Sequence, residues 1–347
     1  MSPTKAYAAA NAKSPLAPLM IQRRDLGPHD ILIDIKFCGV CHSDIHQSRN
    51  GWGGSIYPMV PGHEIVGIVS RIGDQATKHK VGDAVGVGCF VDSCRDCTYC
   101  REGLEQYCVQ SPTQTYNCLE RDRRTPTLGG YSDKIVVDED YVLRMPSSLP
   151  LDAAAPLLCA GITLYSPLKH WKAGPGKKVA VVGLGGLGHM GLKFAHAFGA
   201  EVTVISQSLS KQDEAKSMGA AHFYASSHPA IFEKLSMTFD LIINTVSADV
   251  DWNQYLSLLK VDGAMVVVGI PEAPTPISAP FLIAKRRSLS GSQMGGIKET
   301  QEMLDFCGRH NIVSDIEITS IQKINEAYER ILKSDVRYRF VIDMATL

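Results

Sequence analysis

The sequence predicts an α/β protein of two domains, one rich in β-strands and one a doubly wound parallel sheet with helices. Its 347 residues exceed what one ordinary core holds, taking roughly 100–200 residues per domain. Short β-branched runs broken by Gly, Pro and Asp fill the N-terminal part. From Val179 onward, apolar strands alternate with helical stretches, the pattern of βαβ units.

In the first part, Ile31 to Lys36, Ile65 to Ile72 and Lys134 to Val137 read as strands. In the second, KKVAVVG, EVTVIS, DLIINTV, AMVVVGI and SLSGS read as strands with helices between them. The C-terminal part opens with the helical KETQEMLDFC and closes with the apolar strand RYRFVIDM. It is too short for a core of its own and is expected to pack back onto the first domain. The expected division is 1–157 completed by 295–347, and 158–294, which puts Cys159 near the junction and leaves a cleft between the two parts.

A net charge of -1 supplies no field to gather nucleic acid or an anionic membrane, so a small-molecule role is expected. The N-terminus lacks a signal-like apolar core, and no stretch reaches the roughly 18 apolar residues of a membrane span. A cytoplasmic location is therefore expected. In such a compartment ten cysteines are kept reduced, and their spacing points to metal binding or catalysis.

Cys94, Cys97, Cys100 and Cys108 form C-x2-C-x2-C-x7-C in the polar stretch SCRDCTYCREGLEQYC. Four thiolates this close suit the closed tetrahedral shell of a structural zinc. An iron–sulfur cluster is the rival reading, although the ferredoxin pattern continues x3-C-P and this one does not. A closed site folds a loop, so catalysis is expected elsewhere.

A second set lies in CGVCHSDIH, residues 38 to 46, and PGHEIVG, residues 61 to 67. Cys41, His42, His46, His63 and Glu64 together offer thiolate, imidazole and carboxylate, the zinc ligand types. Downstream, VAVVGLGGLGHMGLKFAHAFGA joins an apolar strand, a glycine turn and an amphipathic helix. Gly183, Gly185 and Gly188 stand there in G-x-G-x-x-G spacing around Gly186 and Leu187. Such a loop lets the backbone approach a pyrophosphate while the helix N-terminus binds its charge. About 20 residues further on, where an NAD site offers an acid to the ribose, the strand EVTVIS ends in Ser206. Ser208 and Lys211 follow, and two hydroxyls and a cation suit a 2′-phosphate.

These motifs, with LGGY at 128–131, PLLCAG at 156–161 and VRYRFVID at 336–343, resemble the zinc-dependent medium-chain alcohol dehydrogenases. Gly73, Gly82, Asp83 and Val85 continue the G-H-E motif. Within that family the chain resembles the cinnamyl alcohol dehydrogenases and related broad-range NADPH-dependent aldehyde reductases. The resemblance implies a GroES-like catalytic domain carrying two zinc ions and a Rossmann domain binding NADP(H). It also implies Cys41, His63 and Cys159 as catalytic zinc ligands, with Glu64 exchanging with water and Asp44 orienting His63. Hydride transfer to a zinc-polarised carbonyl is then expected in the cleft. A relay from Ser43 through the nicotinamide ribose to His46 is implied for the proton. His42 either touches the pyrophosphate or is a surface histidine.

Trp52, Tyr57, Cys89, Tyr116 and Met294 are the expected pocket wall, apolar enough for aliphatic or aromatic aldehydes. Gln114 and Gln293 stand roughly where lignin-pathway relatives carry Trp and Phe, which argues against strict specificity for their substrates. Cys38 and Cys118 fall outside the pattern and read as small buried residues. The family implies a homodimer, with a tetramer as the alternative. Two other functions share much of this sequence: NAD-dependent oxidation of polyols or secondary alcohols, and a dinucleotide-sensing protein without chemistry.

Overall fold

The computed structural model describes residues 2–271 and 273–347. The chain forms two compact units, residues 1–162 with 295–347, and residues 163–294.

The first unit is organised around a mixed sheet. Its strands run in the order Ile316–Ser320, Arg339–Asp343, Asp30–Gly39, Ile65–Ile72, Ala84–Val87 and Leu143–Arg144, with Lys134–Asp138 also paired to Asp30–Gly39. The strand Asp30–Gly39 holds the centre because its apolar residues alternate. Ile31, Ile33 and Ile35 are buried together on one face, as the two-residue period of a strand requires. Arg339–Asp343 pairs antiparallel with its end, matching Val341 to Gly39 and Ile342 to Cys38. The last 50 residues are thereby part of the first unit's sheet. They also supply the helix Ile297–His310, whose buried Thr300, Met303, Leu304 and Cys307 follow the i, i+3, i+4, i+7 stripe of an amphipathic helix. Asn311 ends it in the left-handed conformation, at φ 53°.

The second unit is a six-stranded parallel sheet in the order His222–Ala225, Glu201–Ser206, Lys178–Val182, Phe239–Asn244, Leu259–Val267, Ser288–Gly291. Val179 to Val182 are almost fully buried, since helices cover both faces of such a sheet. Strand order reverses at Lys178–Val182. That is the topological switch point, and the glycine loop leaves from the carboxyl end of this strand.

Candidate active site

One ligand atom each from Cys41, His63, Glu64 and Cys159 lies within 4.8 Å of the others. Three separate segments bring them together. Cys41 caps the short helix His42–Ser48, His63 and Glu64 precede the strand Ile65–Ile72, and Cys159 follows the turn Ala155–Leu158. The sulfurs of Cys41 and Cys159 are 3.9 Å apart. Two sulfurs at about 2.3 Å from a tetrahedral zinc stand roughly 3.8 Å apart, so the spacing fits the metal. The hydrogen bond from Cys159 holds the Cys41 thiol well below its ordinary range and pushes Cys159 well above it.

Asp44, fully buried, ties these segments together. Its carboxylate accepts from the Cys41 N–H at 2.8 Å, the Gly62 N–H at 3.2 Å and the Tyr131 hydroxyl at 3.2 Å. His63 Nδ1 lies 3.3 Å from the same carboxylate, which fixes the ring and leaves Nε2 for a metal. Burial opposes a charge on His63, but Asp44 outweighs it and raises the imidazole well above its ordinary value. The ring of Tyr116 stacks on His63, centroids 5.7 Å apart.

Glu64 is fully buried and paired with the guanidinium of Arg339, a residue the sequence reading did not single out. Burial pushes the Glu64 carboxyl upward while the charge of Arg339 pulls it back. Arg339 is held charged against its own burial chiefly by Glu64. The other carboxylate oxygen, Oε2, has no hydrogen-bond partner among the described residues. An orphaned acceptor beside two thiols and an imidazole is what a bound cation satisfies.

Ser43 and His46 lie three residues apart on the helix His42–Ser48, on neighbouring positions of one face. His46 stacks on Trp52, ring centroids 4.9 Å apart, and meets the His42 ring at a tilt, 5.2 Å away. His42 itself is exposed. Of the expected wall residues, Cys89 and Tyr116 come to the metal set: the Cys89 sulfur lies 3.8 Å from the carbonyl of Leu158, the residue before Cys159, and Tyr116 covers His63. Trp52 is half exposed, and the Tyr57 hydroxyl donates to the Ser48 carbonyl at 2.8 Å. Met294 belongs to the second unit. Gln114 is half-buried and Gln293 exposed. Cys38 is buried where a Cβ on Gly62 or Gly130 would strike its sulfur, so it packs behind the G-H-E turn. Cys118, expected to be buried, is half-buried with an exposed sulfur, because it lies in an irregular surface loop.

Ligand sulfurs of Cys94, Cys97, Cys100 and Cys108 also lie within 4.8 Å of one another. Contacts of 3.8 Å for Cys94 to Cys100 and 3.5 Å for Cys97 to Cys100 again match the tetrahedral spacing. Backbone N–H groups are turned toward the sulfurs, Cys97 to Cys94 at 3.3 Å and Cys94 to Cys108 at 3.4 Å. Backbone hydrogen bonds with Val109 and Cys100 lower the Cys97 thiol to about 6.

The second unit carries the glycine loop. Gly183 sits at φ 88°, and a Cβ there would meet Thr245 Oγ1 at 2.8 Å. A Cβ on Gly188 would collide with the Gly183 carbonyl, so that glycine lets helix and strand close up. Gly185 faces open space, which leaves room for a ligand's phosphates. Gly186 and Leu187 complete the turn into the helix Gly188–Ala197. Ser206 ends its strand, and the Ser208 hydroxyl accepts from the Ser210 N–H while lying 2.9 Å from the Ser210 hydroxyl. Ser210 is a third hydroxyl in this group that the sequence reading omitted; the N-capping pattern S-L-S-K was its only signal. Lys211 Nζ donates to the Leu184 carbonyl at 2.9 Å, which brings its charge against the glycine loop.

Residues 27–147 match the alcohol dehydrogenase GroES-like domain, and residues 186–309 match the zinc-binding dehydrogenase family. The chain is 61% identical over 348 residues to NADP-dependent alcohol dehydrogenase C 1 of Mycolicibacterium smegmatis, covering 100% of this chain and 99% of that one. It is 55% identical to the aldehyde reductase YahK of Escherichia coli, covering 99% of each. Among solved structures, a cinnamyl alcohol dehydrogenase from Sorghum bicolor superposes with a TM-score of 0.97 at 47% identity, over 99% of this chain and 98% of that one. Two family matches, one on the unit with the metal sets and one beginning within the glycine loop, and relatives this similar end to end lead to one conclusion: the chain belongs to the zinc-binding alcohol dehydrogenases.

Proposed function

We propose that this protein is an NADPH-dependent aldehyde reductase with broad acceptance of aliphatic and aromatic, cinnamaldehyde-like aldehydes. The observation that carries the reading is the four-atom set of Cys41, His63, Glu64 and Cys159, two thiols and an imidazole with a carboxylate beside them. NADP dependence and aldehyde reduction are the named properties of two full-length relatives. Cys41, His63 and Cys159 hold a catalytic zinc, with Glu64 in reserve, while Cys94, Cys97, Cys100 and Cys108 hold a structural one. When bound, the zinc supplies a Lewis acid for a carbonyl oxygen and NADPH supplies hydride.

The chain's own groups do the rest. Asp44 holds the His63 ring at Nδ1, and Arg339 holds Glu64. The Ser43 hydroxyl and the His46 imidazole pass the proton that the reduced oxygen needs. Gly183, Gly185, Gly186, Leu187 and Gly188 seat the pyrophosphate, and Ser206, Ser208 and Lys211 accept the 2′-phosphate. The unit of residues 1–162 and 295–347, which extends past the expected boundary at 157 and so includes Cys159, serves catalysis, and residues 163–294 bind the cofactor. The NAD-dependent polyol alternative is disfavoured because Ser206 offers no carboxylate to a ribose.

No single helix among the described residues is long and apolar enough to cross a membrane. We place the protein in the cytoplasm, where its thiol ligands stay reduced. A homodimer is supported by the open edge of the strand Ser288–Gly291, which ends the second unit's sheet.

The test is NADPH oxidation against a panel of aldehydes, before and after zinc chelation. Reduction of several aldehydes, lost on chelation and absent in Cys159→Ala, is expected. A strict preference for NADH, or turnover that survives complete removal of zinc, would overturn the proposal.

A further inference from the structure

Cys89 is a nucleophile that the proposed reaction does not use. Its sulfur meets the carbonyl of Leu158, the residue just before Cys159, at a long 3.8 Å, and it stands outside the set of Cys41, His63, Glu64 and Cys159. A thiol outside the set keeps its lone pairs. Cys89 is 9% exposed, against 8% for Cys41 and 9% for Cys159. The Cys89 thiol is thus as accessible to a small aldehyde as the ligand cysteines themselves.

We propose that Cys89 is a covalent trap for α,β-unsaturated aldehydes bound at this centre, in a side reaction that competes with reduction. The inference rests on the reading of the site as one for aldehydes. The sulfur forms a bond to the β-carbon, and the carbon–carbon π bond breaks. The α-carbon takes the proton that the thiol gives up, which leaves a saturated aldehyde carrying a thioether. No electrons enter or leave, so no oxidant is required. Cys38 and Cys307 are sealed in the core, and Cys41 and Cys159 are committed as ligands. The Cys118 sulfur is exposed and reacts without a binding site. Hydride transfer consumes the enal's carbonyl, so NADPH protects Cys89.

The experiment treats zinc-loaded, full-length protein with acrolein in the absence of cofactor, fixes the adducts with borohydride and maps the modified peptides by mass. Cys89 is expected to carry the adduct, and saturating benzaldehyde is expected to slow its labelling roughly tenfold or more, because binding supplies the proximity. Cys118 labelling stays at its own rate under the same conditions. Propanal, which has no β-acceptor, leaves no such adduct, and Cys89→Ser loses it while Cys118→Ser retains it. Labelling of Cys118, Cys41 or Cys159 without Cys89, or labelling of Cys89 that benzaldehyde does not slow, overturns the trap. The same preparation is assayed for benzaldehyde reduction by NADPH. If that proceeds while Cys89 stays unmodified, the trap alone fails; if it does not, the aldehyde reading fails with it.

Discussion

Arg339 and Glu64 meet across 275 positions of sequence. VRYRFVID reads as a strand, but nothing in its pattern says which acid its arginine will face. The partner is decided by topology, because the strands Arg339–Asp343 and Ile65–Ile72 flank Asp30–Gly39 on opposite sides. Removing one partner of a buried pair strands a charge, at a cost of about 3–5 kcal/mol. Arg339→Met should lose that much stability in urea denaturation of the zinc-loaded protein. Glu64→Gln with Arg339→Met should recover most of it, and equal losses in the single and double variants would count against the pairing. The strand, glycine turn and helix from Lys178 to Ala197, by contrast, were legible, because their signals are all local. Lys211 against the loop carbonyl of Leu184 predicts that Lys211→Ala weakens NADPH binding by about 1.5–3 kcal/mol, roughly 10–150-fold, and leaves NADH nearly unchanged. Ser206→Asp adds repulsion to the 2′-phosphate and should narrow or reverse the preference in kcat/KM for the two cofactors.

At the scale of elements, the legible strands were the long β-branched ones. Ile65 to Ile72 was read with the bounds the structure gives, and EVTVIS likewise. The hairpin of Ser2–Ala9 and Leu16–Arg23 escaped, because it carries few β-branched residues and most of its second strand is exposed. Leu259–Val267 begins well before the apolar AMVVVGI, since Lys260 and Asp262 open the strand with polar side chains. The four-cysteine lobe was legible from spacing alone, since its four sulfurs do come together. Its backbone is organised by sulfur contacts, with only the short helix Thr98–Arg101 and a single turn, Glu105–Tyr107, inside it. Cys97→Ala should therefore cost solubility and folding more than chemistry, because a closed metal site contributes its binding free energy to local folding. Cys159→Ala should abolish turnover and leave far-ultraviolet circular dichroism intact. The Cys97 thiol is lowered to about 6 in the fold, below the ordinary thiol value of roughly 8.5. The stability this contributes is fully present above the ordinary value and lost as pH falls through the folded one. Acidification should thus favour release of the lobe's zinc to a colorimetric chelator, and release that does not increase as pH falls would contradict it.

For the whole molecule, the order of the parallel strands follows from the glycine loop. A loop that binds a dinucleotide at a switch point needs strands on both sides of its own, and Lys178–Val182 has Glu201–Ser206 on one side and Phe239–Asn244 on the other. Assembly was not legible in the residues themselves, because an edge strand and an interior strand look alike in a sequence of four residues such as SLSG. Ser288–Gly291 pairs with Leu259–Val267 alone and leaves its other edge open. The helix just before it exposes 78% of Ile283, and the turn after Leu259–Val267 exposes 58% of Ile270. An open edge beside exposed apolar residues is a template for pairing, and natural proteins cover such edges. A two-fold axis at this edge would set each Ser288–Gly291 strand antiparallel to its copy and carry the sheet through both subunits. Lengthening the interface this way buries Ile283 without a new partner protein. Ile283→Glu would place a charge in that contact and should shift the protein from dimer to monomer in sedimentation velocity at micromolar concentration. The four-cysteine lobe and the catalytic set are untouched by that change, so the zinc content should stay at two per chain. A variant that remains dimeric at every concentration, or a wild type that sediments as a monomer, would place the assembly elsewhere.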